Sequence, residues 1–162
     1  MNKKTGILAA ILFAGITAGA YAEFGIGVQF SGGYAGGSLG GPSLLISPNE
    51  RLHFIIDWYI GDDTIVAFGA DIWALDISLT QLGPGNLSLF VGPGPYGRVG
   101  LYKNGDFSMA AGVRVPVGVH WRVQGFDPFV LIAPALDIKF IPSFNLNDWI
   151  GFSAAAGVRF WF

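Results

Sequence analysis

Apolar and polar side chains alternate along much of the chain, most clearly in two segments of its C-terminal half. Between residues 107 and 124 every odd position is apolar, and the even positions carry small or polar residues, including Arg114, His120 and Arg122. Between residues 150 and 162 the even positions are apolar instead, ending at Phe160 and Phe162. A period of two residues is that of a β-strand whose two faces meet different surroundings. The pattern predicts an all-β fold whose strands are apolar on one face.

Turn-forming residues divide the chain after residue 22 into eight such stretches. We predict strands at Phe24 to Ser31, Pro42 to Ser47, Leu52 to Gly61, Thr64 to Leu75, Leu87 to Tyr102, Phe107 to Gln124, Phe129 to Ile141 and Trp149 to Phe162. The connections are short enough for antiparallel neighbours.

Three turns are open to a more specific prediction. Asn104-Gly105 is the dipeptide typical of a type I′ hairpin. Asp71 and Asp76 are an odd number of residues apart, so they cannot share one face of a strand unless a bulge intervenes. We therefore expect Asp76 to begin a turn, and we expect another turn from Gly125 to Pro128.

The composition indicates what the apolar faces contact. Hydrophobic residues make up 52% of the chain and charged residues only 12%, whereas about a quarter is charged in ordinary soluble domains. Beyond residue 22, polar residues interrupt every apolar run before it reaches the length of a spanning helix, about 18 residues or more. A closed barrel is the other structure that can cross a bilayer, because all its backbone groups are hydrogen-bonded. We predict an eight-stranded antiparallel up-and-down transmembrane β-barrel, whose strands need only about 9 to 11 residues each.

The first 22 residues have the organisation of a signal peptide. Lys3 and Lys4 precede an apolar stretch from Gly6 to Ile16, and Ala20-Tyr21-Ala22 matches the small-x-small pattern of a cleavage site. We expect cleavage before Glu23, a barrel domain spanning residues 23–162, and export to the bacterial outer membrane.

Charge and cysteine content exclude several kinds of partner and site. The net charge of −2 offers no basic surface for nucleic acid. The chain has no cysteine, which excludes disulfides and thiolate metal sites. No spacing of metal ligands is recognisable either, and we expect no metal and no cofactor.

Assigning the apolar face of each strand to lipid leaves a polar set that points inward. It consists of Gln29, His53, Asp57, Asp71, Tyr96, Arg98, Arg114, His120, Arg122, Gln124, Asp137, Lys139 and Arg159. An eight-stranded barrel is just wide enough for side chains to fill its interior. These residues are therefore expected to form an ion-paired network that closes the lumen. A narrow path for water or solutes, a ligand cavity and a catalytic site are the alternatives.

A catalytic site would have to use one of the two histidines, His53 and His120. Ser78, Ser88, Asp57 and Asp71 are conceivable partners, but no nucleophile motif such as G-x-S-x-G is present. We expect the histidines to belong to the polar network and predict no catalytic residues.

The tryptophans are candidates for an aromatic girdle at the membrane surface, because their rings favour the headgroup level. Those near predicted strand ends are Trp58, Trp73, Trp121, Trp149 and Trp161. Interior packing is the alternative for Trp73 and Trp161, which lie on the lumenal phase of their strands.

Several segments resemble a known kind of protein. They are Gly112 to Val119, Phe126 to Phe129 leading into Ala133 to Asp137, and Gly157 to Phe162. They are similar to small eight-stranded outer-membrane barrels of unknown function from spirochaetes and other diderm bacteria, and more broadly to OmpA-type and OmpW-type barrels. The C-terminal Phe160 and Phe162 resemble the signal that the barrel assembly machinery reads. The resemblance implies folding partners and outer-membrane lipids, but no substrate.

These observations lead to one expected function and two alternatives. We expect a monomeric barrel with a structural or surface-interaction role, and the extracellular or host ligand, if there is one, is left open. The first alternative is a narrow channel for water, ions or small apolar solutes. The second is a lipid-modifying enzyme of the outer membrane.

Overall fold

The computed structural model describes residues 23–34, 41–60, 63–141 and 150–162. Its strands are β1 (Gly25–Tyr34), β2 (Gly41–Ser47), β3 (Leu52–Ile60), β4 (Thr64–Ile72), β5 (Leu75–Leu82), β6 (Gly85–Val91), β7 (Gly94–Leu101), β8 (Phe107–Arg114), β9 (Val117–Arg122), β10 (Phe126–Ile141) and β11 (Ile150–Trp161). Within these ranges no helix is long and apolar enough to cross a membrane. The predicted signal peptide, at residues 1–22, lies outside the described residues.

The strands form a closed antiparallel barrel. β11 pairs with both β10 and β1, which joins the two ends of the sheet. Three barrel strands consist of two segments each, because β4 leads into β5, β6 into β7 and β8 into β9. Counted in this way, the barrel has eight strands, and the predicted fold class is confirmed.

Prolines account for two of the interruptions. Pro93 separates β6 from β7 and Pro116 separates β8 from β9. The register does not change across them, since Gly94 is opposite Arg114 and Val91 is opposite Val117. A proline has no N–H to donate, so the ladder loses a hydrogen bond while the strand keeps its direction. The predicted strands from Leu87 and from Phe107 therefore continue through these prolines.

The third interruption, between β4 and β5, is a change of register. Gly69 is opposite Tyr96 on β7, whereas Leu75 is opposite Val91 on β6. The strand formed by β4 and β5 therefore contains one residue more than the strand formed by β6 and β7. Such a bulge reverses the face on which the following residues lie. Asp76 consequently points inward like Asp71. The prediction that Asp76 begins a turn is wrong, because the strand continues to Leu82.

The hairpin at residues 102–106 has a different turn from the one predicted. The Gly105 N–H donates to the Tyr102 carbonyl at 2.9 Å, and Gly105 has a φ of 84°. Among the described non-glycine residues only Gln124 has a positive φ, so Asn104 does not adopt the conformation of a type I′ turn. The loop is a three-residue hairpin that ends in a left-handed glycine.

The type I′ conformation occurs instead at Gln124-Gly125. Their φ angles are 49° and 95°, and the backbones of Val123 and Phe126 exchange two hydrogen bonds of 2.8 Å. The turn predicted at Gly125 to Pro128 is therefore shifted, and β10 begins at Phe126 rather than at Phe129. Gln124, which was predicted to point inward, lies in the turn and is exposed.

The two ends of the barrel differ. The terminal end carries Phe24, Phe162 and the turns at residues 48–51, 83–84 and 124–125. There Phe24 and Phe162 exchange backbone hydrogen bonds of 3.2 and 2.8 Å. The loop end carries the hairpin at 102–106. A small apolar core lies inside the barrel, formed by Leu45, Ile55, Trp73, Phe90 and Phe129.

Candidate functional site

A buried ion pair inside the barrel, near its terminal end, joins the last two strands. Asp127 on β10 is directly opposite Arg159 on β11. The Arg159 Nη2 atom donates to Asp127 Oδ2 at 2.7 Å, and the two side chains are 0% and 1% exposed. The same carboxylate accepts a hydrogen bond from Trp161 Nε1 at 3.0 Å, and its Oδ1 lies 2.8 Å from His120 Nδ1. Three donors therefore converge on one buried carboxylate.

Aromatic rings enclose the other side of the Arg159 guanidinium. Its central carbon lies 4.1 Å from the ring centroid of Trp73, 5.0 Å from Phe129 and 5.3 Å from Trp161. The face of an aromatic ring attracts a cation. Trp73 in turn stacks on Phe90, with ring centroids 3.5 Å apart and an interplanar angle of 8°. We call this assembly the plug, consisting of His53, Trp73, Phe90, His120, Asp127 and Arg159.

The first histidine completes the plug by accepting hydrogen bonds. Arg159 Nη1 lies 3.0 Å from His53 Nδ1, and Ser47 Oγ lies 2.7 Å from the same atom. An arginine can only donate, so this nitrogen of His53 accepts and carries no proton. The His53 ring also packs against Trp73, with centroids 4.3 Å apart. His53 is therefore held as a neutral ring beside the buried cation.

The second histidine lies between two carboxylates. His120 Nδ1 faces Asp127, and its Nε2 lies 3.2 Å from Asp76 Oδ2. Asp76 is 39% exposed, so this side of the plug reaches the surface. Ser88 is opposite His120 in the β6–β9 pair. Among the described residues, the serine that hydrogen-bonds a histidine is Ser47, and neither it nor His53 is accessible to a substrate.

A second set of ion pairs connects the terminal end across the barrel. Arg122 on β9 binds Glu50 in the turn between β2 and β3, and it also binds Glu23, which precedes β1. Its guanidinium lies 4.9 Å from the ring centroid of Trp161. Arg122 is 25% exposed, so this contact lies at the rim rather than in the interior. It holds Glu23 and the turn between β2 and β3 together at this rim.

The half of the lumen towards the loop end contains two more ion pairs. Arg114 donates to both oxygens of Asp71, from Nε at 2.8 Å and from Nη2 at 2.9 Å. Arg98 binds Asp137 on β10. Lys139 follows Asp137 on the same face of β10 and is half-buried.

A cavity of about 60 Å³ lies beside these pairs. Asp57, Tyr96, Arg98 and Arg114 are among its lining residues. Apolar side chains such as Ile65 and Phe68 complete the lining, and a cavity of this size has room for about four water molecules. Asp57 accepts hydrogen bonds from Ser43 and, at 3.3 Å, from Ser31. This half of the lumen is thus polar and partly open, whereas the plug is tightly packed.

The interior also contains residues that the sequence analysis did not select. Asp127 is the most important of them, and Ser31, Ser43 and Ser47 supply hydroxyl groups to the network. Of the tryptophans, Trp73 is 3% exposed inside the barrel, whereas Trp58 is 37% exposed on the outward face of its strand. Trp149 lies outside the described residues.

No group of three or more His, Asp or Glu side chains in the described ranges is placed to hold a metal ion. The chemistry of the interior is instead that of charge pairing. Arginines are matched to aspartates on neighbouring or facing strands, and the aromatic rings fill the remaining space.

Comparison with known proteins gives two structural likenesses. One is to the crystal structure of Neisserial surface protein A (NspA), with 18% identity over 86% of this chain and 96% of that chain and a TM-score of 0.45. The other is to the N-terminal β-barrel domain of Pseudomonas aeruginosa OprF, with 12% identity over 85% of this chain and 97% of that chain and a TM-score of 0.40. At these TM-scores neither likeness adds to the fold seen directly. No family model and no curated protein matches the chain.

Proposed function

We propose that this protein is an integral outer-membrane barrel with a structural or surface-interaction role, whose lumen is closed by the plug. The observation that carries the proposal is the division of side chains between the two faces. In the described strands every charged side chain lies on the inward phase. Large apolar side chains occupy the outward phase, for example Val28 at 57%, Phe68 at 55% and Leu101 at 58% exposed.

An apolar surface of this extent is incompatible with water as the only solvent. Soluble monomers rarely expose contiguous apolar patches larger than a few hundred Å², and here the outward apolar residues continue around the barrel. In hydrocarbon the same surface is favourable, because the closed ladder satisfies the backbone and no charge faces lipid. The segment predicted as a signal peptide and the apolar C-terminus, with Phe160 and Phe162, support the outer membrane as the location.

The membrane location can be tested with the purified protein. We expect the folded barrel to require detergent, to migrate faster in gel electrophoresis before boiling than after it, and to keep its strand circular dichroism in micelles. The physical reason is that only an apolar solvent covers the outward face without aggregation. A monodisperse monomer in detergent-free buffer would contradict the assignment.

The plug argues for a structural role rather than transport. Arg159, Asp127 and His53 are each at most 1% exposed, and this tight packing supports a lumen that is closed in its terminal half. The cavity beside Arg114 favours the alternative of a narrow channel, since it could serve as the outer part of a path. The buried histidines give no support to the lipid-modifying alternative.

Conductance across a planar lipid bilayer separates a closed barrel from a channel. We expect no resolvable conductance steps from the folded protein, because the packed plug fills the cross-section. A preparation denatured before addition serves as the control for leakage caused by insertion. Stepwise conductance that changes on Arg114→Ala would favour the channel and contradict the closed lumen.

A further inference from the structure

One strand of the barrel has a free edge at the terminal end. β5 pairs with β6, and no other described strand pairs with it. On the side away from β6, the preceding segment β4 pairs with β3, which begins at Leu52 opposite Ile72. The last hydrogen bond of this pairing runs from the Trp73 N–H to the Arg51 carbonyl, at 2.7 Å. The 8 residues Leu75–Leu82 extend beyond this point. No strand of the described ranges pairs with their backbone groups on this side.

Little in the sequence protects this edge. Natural proteins blunt free edges with lysine, proline, bulges, inward-pointing charges or a covering segment, and of these β5 has one bulge and the single charge of Asp76. β5 contains no lysine and no proline, and its one irregularity is a bulge between Ser78 and Thr80. All its residues are exposed, and its outward side chains include Leu75 at 56%, Ile77 at 51% and Leu82 at 54% exposed. An apolar, exposed edge of this kind is a template for an added strand.

The chemistry of the edge selects its occupant. Lipid acyl chains cannot hydrogen-bond, so they leave the N–H and C=O groups unsatisfied. A second copy of the chain does not fit either, because barrel strands tilt by about 35 to 45° from the membrane normal. Two copies inserted in the same direction and related by rotation about the normal would have β5 strands crossing at about 70 to 90°. An extended peptide can hydrogen-bond along the β5 edge and can take the direction of this strand.

We propose that the free edge of β5 is a docking site for an extended segment of another protein, which joins the sheet as an additional strand. The added strand occupies the sheet position that β3 holds further along the barrel, next to β4. Such strand addition takes its affinity from main-chain hydrogen bonds and its specificity from alternate side chains. The choice of occupant rests on the proposed membrane location, whereas the free edge does not.

The side chains of β5 define the partner further. Directly opposed residues of paired strands share a face, so the partner needs apolar residues opposite Leu75, Ile77 and Leu82. On the inward face Asp76 is 39% exposed and has His120 on one side only. A lysine or arginine opposite Asp76 would complete this contact. The partner is therefore an alternating apolar and polar segment of about seven or eight residues with one basic side chain.

A synthetic peptide tests the edge directly. The probe has the sequence of residues 85–91, which already pairs with the other edge of β5 and alternates Asn86 and Ser88 with Leu87 and Leu89. The control peptide has the same side chains but is N-methylated at every residue, so that it cannot donate along either edge. Hydrogen exchange of the β5 amides is measured in detergent micelles, with and without each peptide.

Without peptide, we expect the β5 amides that face away from β6 to exchange rapidly. A millimolar concentration of the probe should slow them at least tenfold, and the N-methylated control should leave them unchanged. Slow exchange of every β5 amide in the free protein would overturn the proposal, as would equal protection by both peptides or protection by neither. Because the readout is made in micelles, it is independent of the membrane in which the protein resides.

Discussion

Replacing Asp127 by alanine is expected to lower the free energy of unfolding by about 3 to 5 kcal/mol, the cost of removing one partner of a buried ion pair. Arg159 would remain 0% exposed with its carboxylate partner missing. Trp161 and His120 would lose the same acceptor. The measurement is equilibrium unfolding by urea in detergent micelles, followed by tryptophan fluorescence, because Trp73 and Trp161 both lie against the guanidinium.

A matched substitution at an exposed aspartate provides the control. Asp106 lies in the hairpin at the loop end and accepts a hydrogen bond from Asn104 Nδ2 at 2.6 Å. Because this contact is exposed, we expect Asp106→Ala to cost no more than about 1 kcal/mol. The double variant Asp127→Ala/Arg159→Met should recover part of the stability lost in Asp127→Ala, since it removes the stranded charge. Equal effects of Asp127→Ala and Asp106→Ala would show that the plug does not stabilise the barrel.

The strands and their faces could be predicted because alternation is a local property of the sequence. Along β8 and β9 the apolar side chains occupy odd-numbered positions, whereas Arg114, His120 and Arg122 occupy even-numbered ones. This alternation is sufficient to assign each face of the strand without knowledge of the neighbouring strand. The same alternation would have revealed Asp127. It lies on the same face as Phe129 and Asp137, but Gly125 and Pro128 nearby indicate a turn and so conceal the start of the strand.

Pairing between distant residues could not be predicted in the same way. Parity places Arg98, Arg114 and the aspartates on the inward face, but it does not say which of them meet. Asp137 lies 39 residues from Arg98 in the sequence, and Asp71 lies 43 residues from Arg114. Their contact depends on the register of the whole barrel, including the bulge before β5. The bulged segment contains Ala74 and has neither glycine nor proline. The sequence therefore predicts a turn at Asp76 and not a bulge before it.

A charge placed on the outward face separates a membrane barrel from a soluble one. Ile132 is 49% exposed near the middle of β10, where it is opposite Ala154 and Val117. In a lipid bilayer we expect Ile132→Arg to lower the free energy of unfolding by about 2 to 4 kcal/mol, because the guanidinium would face hydrocarbon. In water the same substitution at a half-exposed position would change stability by only about 0.5 kcal/mol. The measurement is reversible unfolding by guanidinium chloride in phospholipid vesicles.

The matched control is the same substitution at the loop end of the barrel. Leu101 is 58% exposed on the last residue of β7, and the cost of an outward arginine falls to about 0 to 1 kcal/mol near the membrane surface. The expected result is therefore a dependence on depth, with Ile132→Arg costing clearly more than Leu101→Arg. In water both positions are about half-exposed, at 49% and 58%, so the two costs would be small and nearly equal. Equal and small costs at both positions would mean that the outward face of β10 does not contact lipid.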